Sequence, residues 1–311
     1  MKMNVNTPKS KKNVSSVLFA NMDKGVLTNA DMRQKKYVAL YAVLVLIMLV
    51  CILVSVVPAL WMILTGFKEP AEIYQGLSNF FPKKFDMSKL GKIWRQMNFG
   101  KYYLNTFIMS LGAVLIDVIF CGLAGYVLSR LKPKGSKAVY AVIFCLMLLP
   151  TTMRQVPLYK MFIDFPIGHF NMINTYVPIW LISGATLFDV ILFKTAFDTI
   201  SNSLVEAAKI DGASDGRIFL QIMVPLSMPV IITASIFAFN YQFGSFFWPL
   251  LVLRDPKKSV MGLLVYNLKT STMTMDYRFL AMIFAILPQL AIFIILQKYI
   301  MSGLNVGGVK G

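Results

Sequence analysis

Apolar residues in this chain fall into long blocks separated by shorter polar stretches. A block of roughly 20 apolar residues crosses a bilayer as a helix, because a helix satisfies its backbone N–H and C=O groups within the segment. The pattern predicts six spans. The first covers about Val38–Leu64, with Lys35 and Lys36 just before it and Pro58 expected to bend it. A loop of mixed polarity follows from Lys68 to about Tyr102, and Trp94, Phe99 and Tyr103 are expected there as membrane-interface aromatics. The second span runs from Leu104 to Leu128, and Arg130, Lys132, Lys134 and Lys137 close it. The third covers Val139–Tyr159, broken at Pro150 and Pro157. The fourth is Tyr176–Phe197, the fifth Leu226–Leu253 and the sixth Phe279–Met301. The expectation is an all-α membrane protein: a basic arm over 1–36, a six-helix transmembrane domain over 37–302, and a tail over 303–311.

Composition agrees. Of 311 residues, 57% are hydrophobic and 14% charged, against about 25% charged in a soluble domain. The net charge of +17 would suggest nucleic acid in a soluble protein. Here basic loops beside apolar spans point to anionic lipid instead, and no nucleic-acid partner is expected. The N-terminal basic cluster and the 130–137 turn place both termini in the cytoplasm, by a thin margin over the opposite orientation. The run after residue 36 is too long for a signal-peptide core, so the first span reads as an uncleaved anchor in the cytoplasmic membrane.

Several chemistries are disfavoured. Cys51, Cys121 and Cys145 all lie in apolar spans at spacings that suit neither zinc nor a disulfide framework, and read as packing residues. His169 is the sole histidine, so no metal site and no catalytic triad is expected. No GxxxxGK stretch occurs, so the chain carries no nucleotide cofactor of its own.

One polar island interrupts the apolar blocks: EAAKIDGASDGRIFLQIMVP, from Glu206 to Pro225. Ser203 and Glu206 have capping-box spacing, Ala207 and Ala208 continue the helix with small side chains, and Gly212 suits a left-handed helix end. Ser214 or Asp215 then starts a second helix. Such a hairpin between two spans is either a docking element facing water or a plain connector.

Glu206-Ala207-Ala208, Gly212 after three intervening residues, then Ile222 and Val224-Pro225 resemble the EAA loop of ABC importer permeases; Val224 stands where the pattern usually has Leu. Asn105-Thr106, Leu128-Ser129-Arg130, Pro157-Leu158-Tyr159, Asn174-Thr175-Tyr176, Phe246-Phe247-Trp248-Pro249-Leu250 and the tail from Gln297 to Gly311 are similar to carbohydrate-importer permeases, the second membrane subunit of maltodextrin-type systems above all. Phe243-Gly244-Ser245 departs from the Trp-Asn-Asp usual there. The resemblance implies a type I importer permease fold in which 203–225 holds the coupling helix. Glu206, Ala207, Ala208, Asp211 and Gly212 would then meet a separate ATPase subunit. It also implies a heterodimer with a sister permease, two ATPase subunits that use ATP and magnesium, and an extracytoplasmic solute-binding protein.

Polar residues inside the spans are candidates for a carbohydrate pathway. A carboxylate at mid-membrane costs about 2.5–3.5 kcal/mol on insertion scales, so Asp117 and Asp189 should face protein or water. Asn240 and Gln242 could meet sugar hydroxyls, and Tyr241 and Trp248 the C–H faces of the ring; their seven-residue step suggests one helical face. Aromatic packing explains the same residues equally well. Arg154 could pair with a carboxylate. The functional expectation is the permease subunit of an ATP-driven carbohydrate importer, itself no enzyme. The alternatives are an importer for amino acids or peptides, or a proton-coupled carrier using Asp117 or Asp189.

Overall fold

The computed structural model describes residues 35–75 and 79–306, with side chains described over 36–75 and 79–297. The basic arm therefore lies outside the described residues except for Lys35 and Lys36, and so do Gly307–Gly311. Among the described residues there is no β-strand; the elements are helices joined by short turns. The chain divides into two compact units, Met1–Met62 and Ile63–Gly311.

The first unit contributes most of α1 (Lys35–Phe67), which continues unbroken through Pro58. None of its most apolar stretch is buried, and Leu46, Met48, Val54 and their neighbours are exposed all round. A helix apolar on every side has the composition of a membrane span.

The second unit holds α2 (Pro70–Ile73), α3 (Ser88–Met97), α4 (Phe99–Tyr126), α5 (Ser136–Met147), α6 (Gln155–Ile163), α7 (Val177–Ser183), α8 (Leu187–Asp198), α9 (Asn202–Ile210), α10 (Asp215–Ile218), α11 (Met228–Gly244), α12 (Phe247–Val252), α13 (Met261–Asn267) and α14 (Met275–Val306). Three helical stretches are long and apolar enough to cross a membrane singly: 36–67, 99–131 and 275–297. Three more crossings are possible only as bent pairs. The α5/α6 pair bends by 104°, α7/α8 by 44°, and the 215–226 segment meets α11 at 79°.

α4 is the central element, packed against α7, α8, α11 and α13. Glycines let it do so. A Cβ on Gly125 would stand 2.8 Å from the Lys194 backbone nitrogen, and one on Gly112 would stand 2.4 Å from the Trp180 indole. Small residues at such crossings let backbones approach closely, as membrane helix pairs require. The buried Lys89–Asp276 ion pair (2.7 Å) ties α3 to the start of α14, and Lys89 Nζ also donates to Lys68 O at 2.8 Å.

Trp94, Phe99 and Tyr103, the expected interface aromatics, form a cluster. They pack on one another and on Phe284, with ring centroids 4.9–6.1 Å apart, and Phe99 is fully buried. The fifth span does not run to Leu253. α11 stops at Gly244, and Ser245 is extended (φ −69°, ψ 131°) where Gly262 of α13 abuts its carbonyl. Tyr241 and Trp248 thus sit on different helices, so their seven-residue step places them on no common face. α14 itself runs to Val306.

Candidate functional site

The polar island folds as a helical hairpin. α9 starts two residues earlier than the capping-box reading. Ser201 is extended (φ −61°, ψ 136°), and its hydroxyl accepts from the Ser203 N–H at 3.3 Å. Ser203 lies inside the helix, hydroxyl to hydroxyl with Ser201 at 2.7 Å. Glu206 is therefore two residues past the position a capping box requires, and it is exposed. The helix ends as expected at Gly212, whose φ is +79°. Gly212 N donates to Lys209 O (3.0 Å) and Ala213 N to Ala208 O (2.9 Å), the paired bonds of a Schellman end. Ser214 caps α10, accepting from Arg217 N at 3.3 Å.

Burial separates the two faces of the hairpin. Val205, Ala208, Ala213 and Ile218 pack inward on a cluster built from Tyr126, Phe193, Phe197 and Met223. Glu206, Ala207, Asp211 and Gly212 face outward. So do two apolar side chains that the sequence reading passed over, Leu204 at 49% and Ile210 at 86% exposure. A methyl-sized Ala207 between them makes a shallow apolar face on a polar helix, which is the composition of a contact surface.

A second site lies where α4, α7, α8 and α11 converge. A cavity of about 280 Å³ is lined by Asp117, Arg154, Ser183, Thr186, Asp189, Tyr241 and Gln242, with Ile182, Phe188, Phe237 and Ala238. Four of the six predicted pathway residues thus come together, and Arg154 joins them. Asp117 is 1% exposed, and neither carboxylate oxygen has a hydrogen-bond partner. Asp189 does not sit in mid-helix. It occupies the first turn of α8, after the break at 184–186, where the helix N-terminus favours a negative charge. Gln242 Nε2 donates to Ser183 Oγ at 2.7 Å, and Ser183 Oγ donates to Ile179 O at 3.0 Å. Tyr241 stands 71% exposed at the cavity wall.

Asn240 and Trp248 are not part of it. The Asn240 side chain donates back to Ile236 O at 3.0 Å, as amides in apolar helices do when no other acceptor is near. Trp248 packs edge-on against Phe162, centroids 5.8 Å apart, in the cluster around Met109 and Ile179. Ser183 and Thr186, which line the cavity, went unnoticed in sequence. Their signal was the small polar run Ser183-Gly184-Ala185-Thr186 inside an apolar stretch.

Residues 118–306 match the family model described as binding-protein-dependent transport system inner membrane component. The chain is 32% identical over 240 residues to the melibiose/raffinose/stachyose import permease protein MelC of Bacillus subtilis (strain 168), an alignment covering 74% of this chain and 83% of that one. It is 28% identical over 262 residues to the diacetylchitobiose uptake system permease protein NgcG of Streptomyces coelicolor, covering 82% and 84%. Among solved structures, a bacterial ABC transporter involved in the import of the acidic polysaccharide alginate superposes with a TM-score of 0.70 at 23% identity, over 89% of this chain and 99% of that one. Apolar helices of spanning length, an outward-facing capped hairpin and a polar cavity between the helices accord with these likenesses, and the chain belongs to the family of inner membrane components of binding-protein-dependent transport systems.

Proposed function

We propose that this chain is a membrane subunit of an ATP-driven importer for carbohydrate, an oligosaccharide in particular. The exposed face of α9 carries the proposal: Leu204, Ala207 and Ile210 offer a small apolar surface that none of the described residues covers. An ATPase subunit docks there, and Glu206, Ala207, Ala208, Asp211 and Gly212 form or support the contact. ATP and magnesium belong to that partner, and this chain performs no bond chemistry. Relatives named for melibiose, raffinose, stachyose and diacetylchitobiose support saccharide as the solute. The cavity, with two carboxylates, the Ser183 and Thr186 hydroxyls, an amide, Arg154 and Tyr241, suits a polyhydroxylated ligand. A sister permease completes the path as a heterodimer, two ATPase subunits bind on the cytoplasmic side, and a solute-binding protein delivers from outside. In this reading each bent pair is one crossing, which gives six spans with both termini in the cytoplasm.

Gly212→Pro tests the docking element. Proline fixes φ near −65° and lacks an N–H, whereas Gly212 needs φ +79° and donates to Lys209 O. In reconstituted complex, solute uptake should fall by about tenfold or more, the scale set by strong coupling energies, while the ATPase subunits still co-purify. Undiminished uptake would sink the docking role.

A further inference from the structure

The turn that ends α4 reaches both ends of the hairpin. α4 does not stop as an α-helix; it widens into a π-helical turn over Val127–Leu131, a form that recurs at functional places in helices. Half-buried Arg130 spends its guanidinium there on three acceptors. One terminal nitrogen donates to Phe197 O and, at 2.5 Å, to Ile200 O; the other donates to the Asn202 side chain. Phe197 lies in the last turn of α8, and Asn202 is the first residue of α9. Arg130 therefore bonds carbonyls at and just beyond a helix C-terminus, where a cation is favoured, and holds the start of the hairpin helix with the same fork.

Neighbouring residues repeat the grip. Ser129 Oγ donates to Asp198 Oδ1 at 2.6 Å, and Lys194 Nζ bonds the other oxygen of that carboxylate at 2.6 Å. One helical turn back, Tyr126 Oη donates to Asp215 O at 3.2 Å. Asp215 opens α10, on the far side of the Gly212 turn. A single helix end thus bonds the chain just before α9 and again just after it. Nothing local in the sequence shows this, since 72 residues separate Arg130 from Asn202.

The same helix carries Asp117 at the cavity. We propose that Arg130 is the positioning residue that fixes the root of the hairpin to α4, with Tyr126 as the second tether, so that displacement of the hairpin moves α4 and, with it, the cavity wall. A lysine could supply the charge but not the planar fork that serves three acceptors at once. The inference rests on the docking role proposed for the hairpin. It adds which helix receives the displacement and through which side chains.

The test uses the complete complex in proteoliposomes and reads ATP hydrolysed per solute transported. Misfolding lowers hydrolysis and uptake together and leaves that ratio alone, whereas a loosened tether raises it. Arg130→Met should raise the ratio about three- to tenfold, the range of substitutions along a coupling path, with the ATPase subunits still co-purifying. Arg130→Lys should recover part of the difference. Tyr126→Phe, which deletes one hydroxyl, should raise the ratio about twofold and serves if Arg130→Met fails to assemble. A ratio unchanged in Arg130→Met overturns the proposal, as does an unchanged ratio in Tyr126→Phe when Arg130→Met does not assemble. Ala207→Arg, on the outer face, separates the two claims. Retained ATPase binding in Ala207→Arg means that the docking reading itself has failed. Lost binding there, together with an unchanged ratio in Arg130→Met, means that only the tether is wrong.

Discussion

Asp117 sits on α4 with both carboxylate oxygens buried and unpartnered. A buried acceptor without a donor costs about 1–3 kcal/mol, and here it lines a cavity that a ligand hydroxyl could enter. If sugar hydroxyls donate to it during passage, Asp117→Asn keeps the shape and replaces an acceptor oxygen with a donor. Initial uptake should then fall by roughly tenfold, because a buried polar group left without its partner costs about 1–3 kcal/mol, while assembly and the hydrolysis rate of the complex hold. Uptake equal to the parent would make Asp117 a packing residue. Asp189 differs in setting: the 184–186 break puts it in the first turn of a helix rather than in its middle.

At the scale of elements, the apolar blocks told where helices lie but not how they turn. Pro150 and Pro157 marked a break, yet no local rule gives the 104° between α5 and α6; that angle follows from what each half packs against. The hairpin was legible because helix ends use short-range chemistry, and Gly212 and Ser214 behave as their residue types suggest. The N-cap is Ser201, two residues before the Ser203 that the capping-box spacing suggests, and nothing in the residue types separates the two serines. Asn105, Thr106 and Asn174 gained a meaning from the fold. They bracket the 255–261 segment: Asn105 donates to Lys257 O and Ser259 O at 2.8 Å, Thr106 Oγ1 accepts from Met261 N at 2.8 Å, and Asn174 Oδ1 accepts from Asp255 N at 2.9 Å. The α4–α8 crossing is open to a single change. In Gly125→Ala the new methyl would meet the Lys194 nitrogen and Phe193 Cβ at 2.8 Å, atoms that cannot swing aside. Overpacking of this kind costs about 1–3 kcal/mol. The midpoint of thermal inactivation of the purified complex should drop by several degrees, and an unchanged midpoint would mean that the two helices can slide apart freely.

At the scale of the whole molecule, the fold closes on a question of sides. Three continuous helices and three bent pairs give a definite arrangement only if each pair crosses the bilayer. A pair bent by 104° could instead dip in and return on the same face. The two cases differ in where the polar turns end up. If every pair crosses, the 130–137 turn and the 202–218 hairpin share one side, and the 268–274 turn lies on the other. Exposed Lys134, Lys209 and Thr272 report on the three. With Cys51, Cys121 and Cys145 replaced by alanine, single cysteines go in at those positions. In intact cells a membrane-impermeant maleimide should label Thr272→Cys alone, whereas Lys134→Cys and Lys209→Cys should react only after permeabilisation. The basic flanks favour this orientation, because positive loops are retained in the cytoplasm. The pattern also has consequences for function. If Lys134→Cys and Lys209→Cys label from opposite sides, α4 ends across the membrane from the hairpin. Arg130 could not then hold Asn202, and the docking surface, the tether and the six-span arrangement would fall together. Joint labelling from the inside keeps all three on one cytoplasmic face, where an ATPase subunit can reach them.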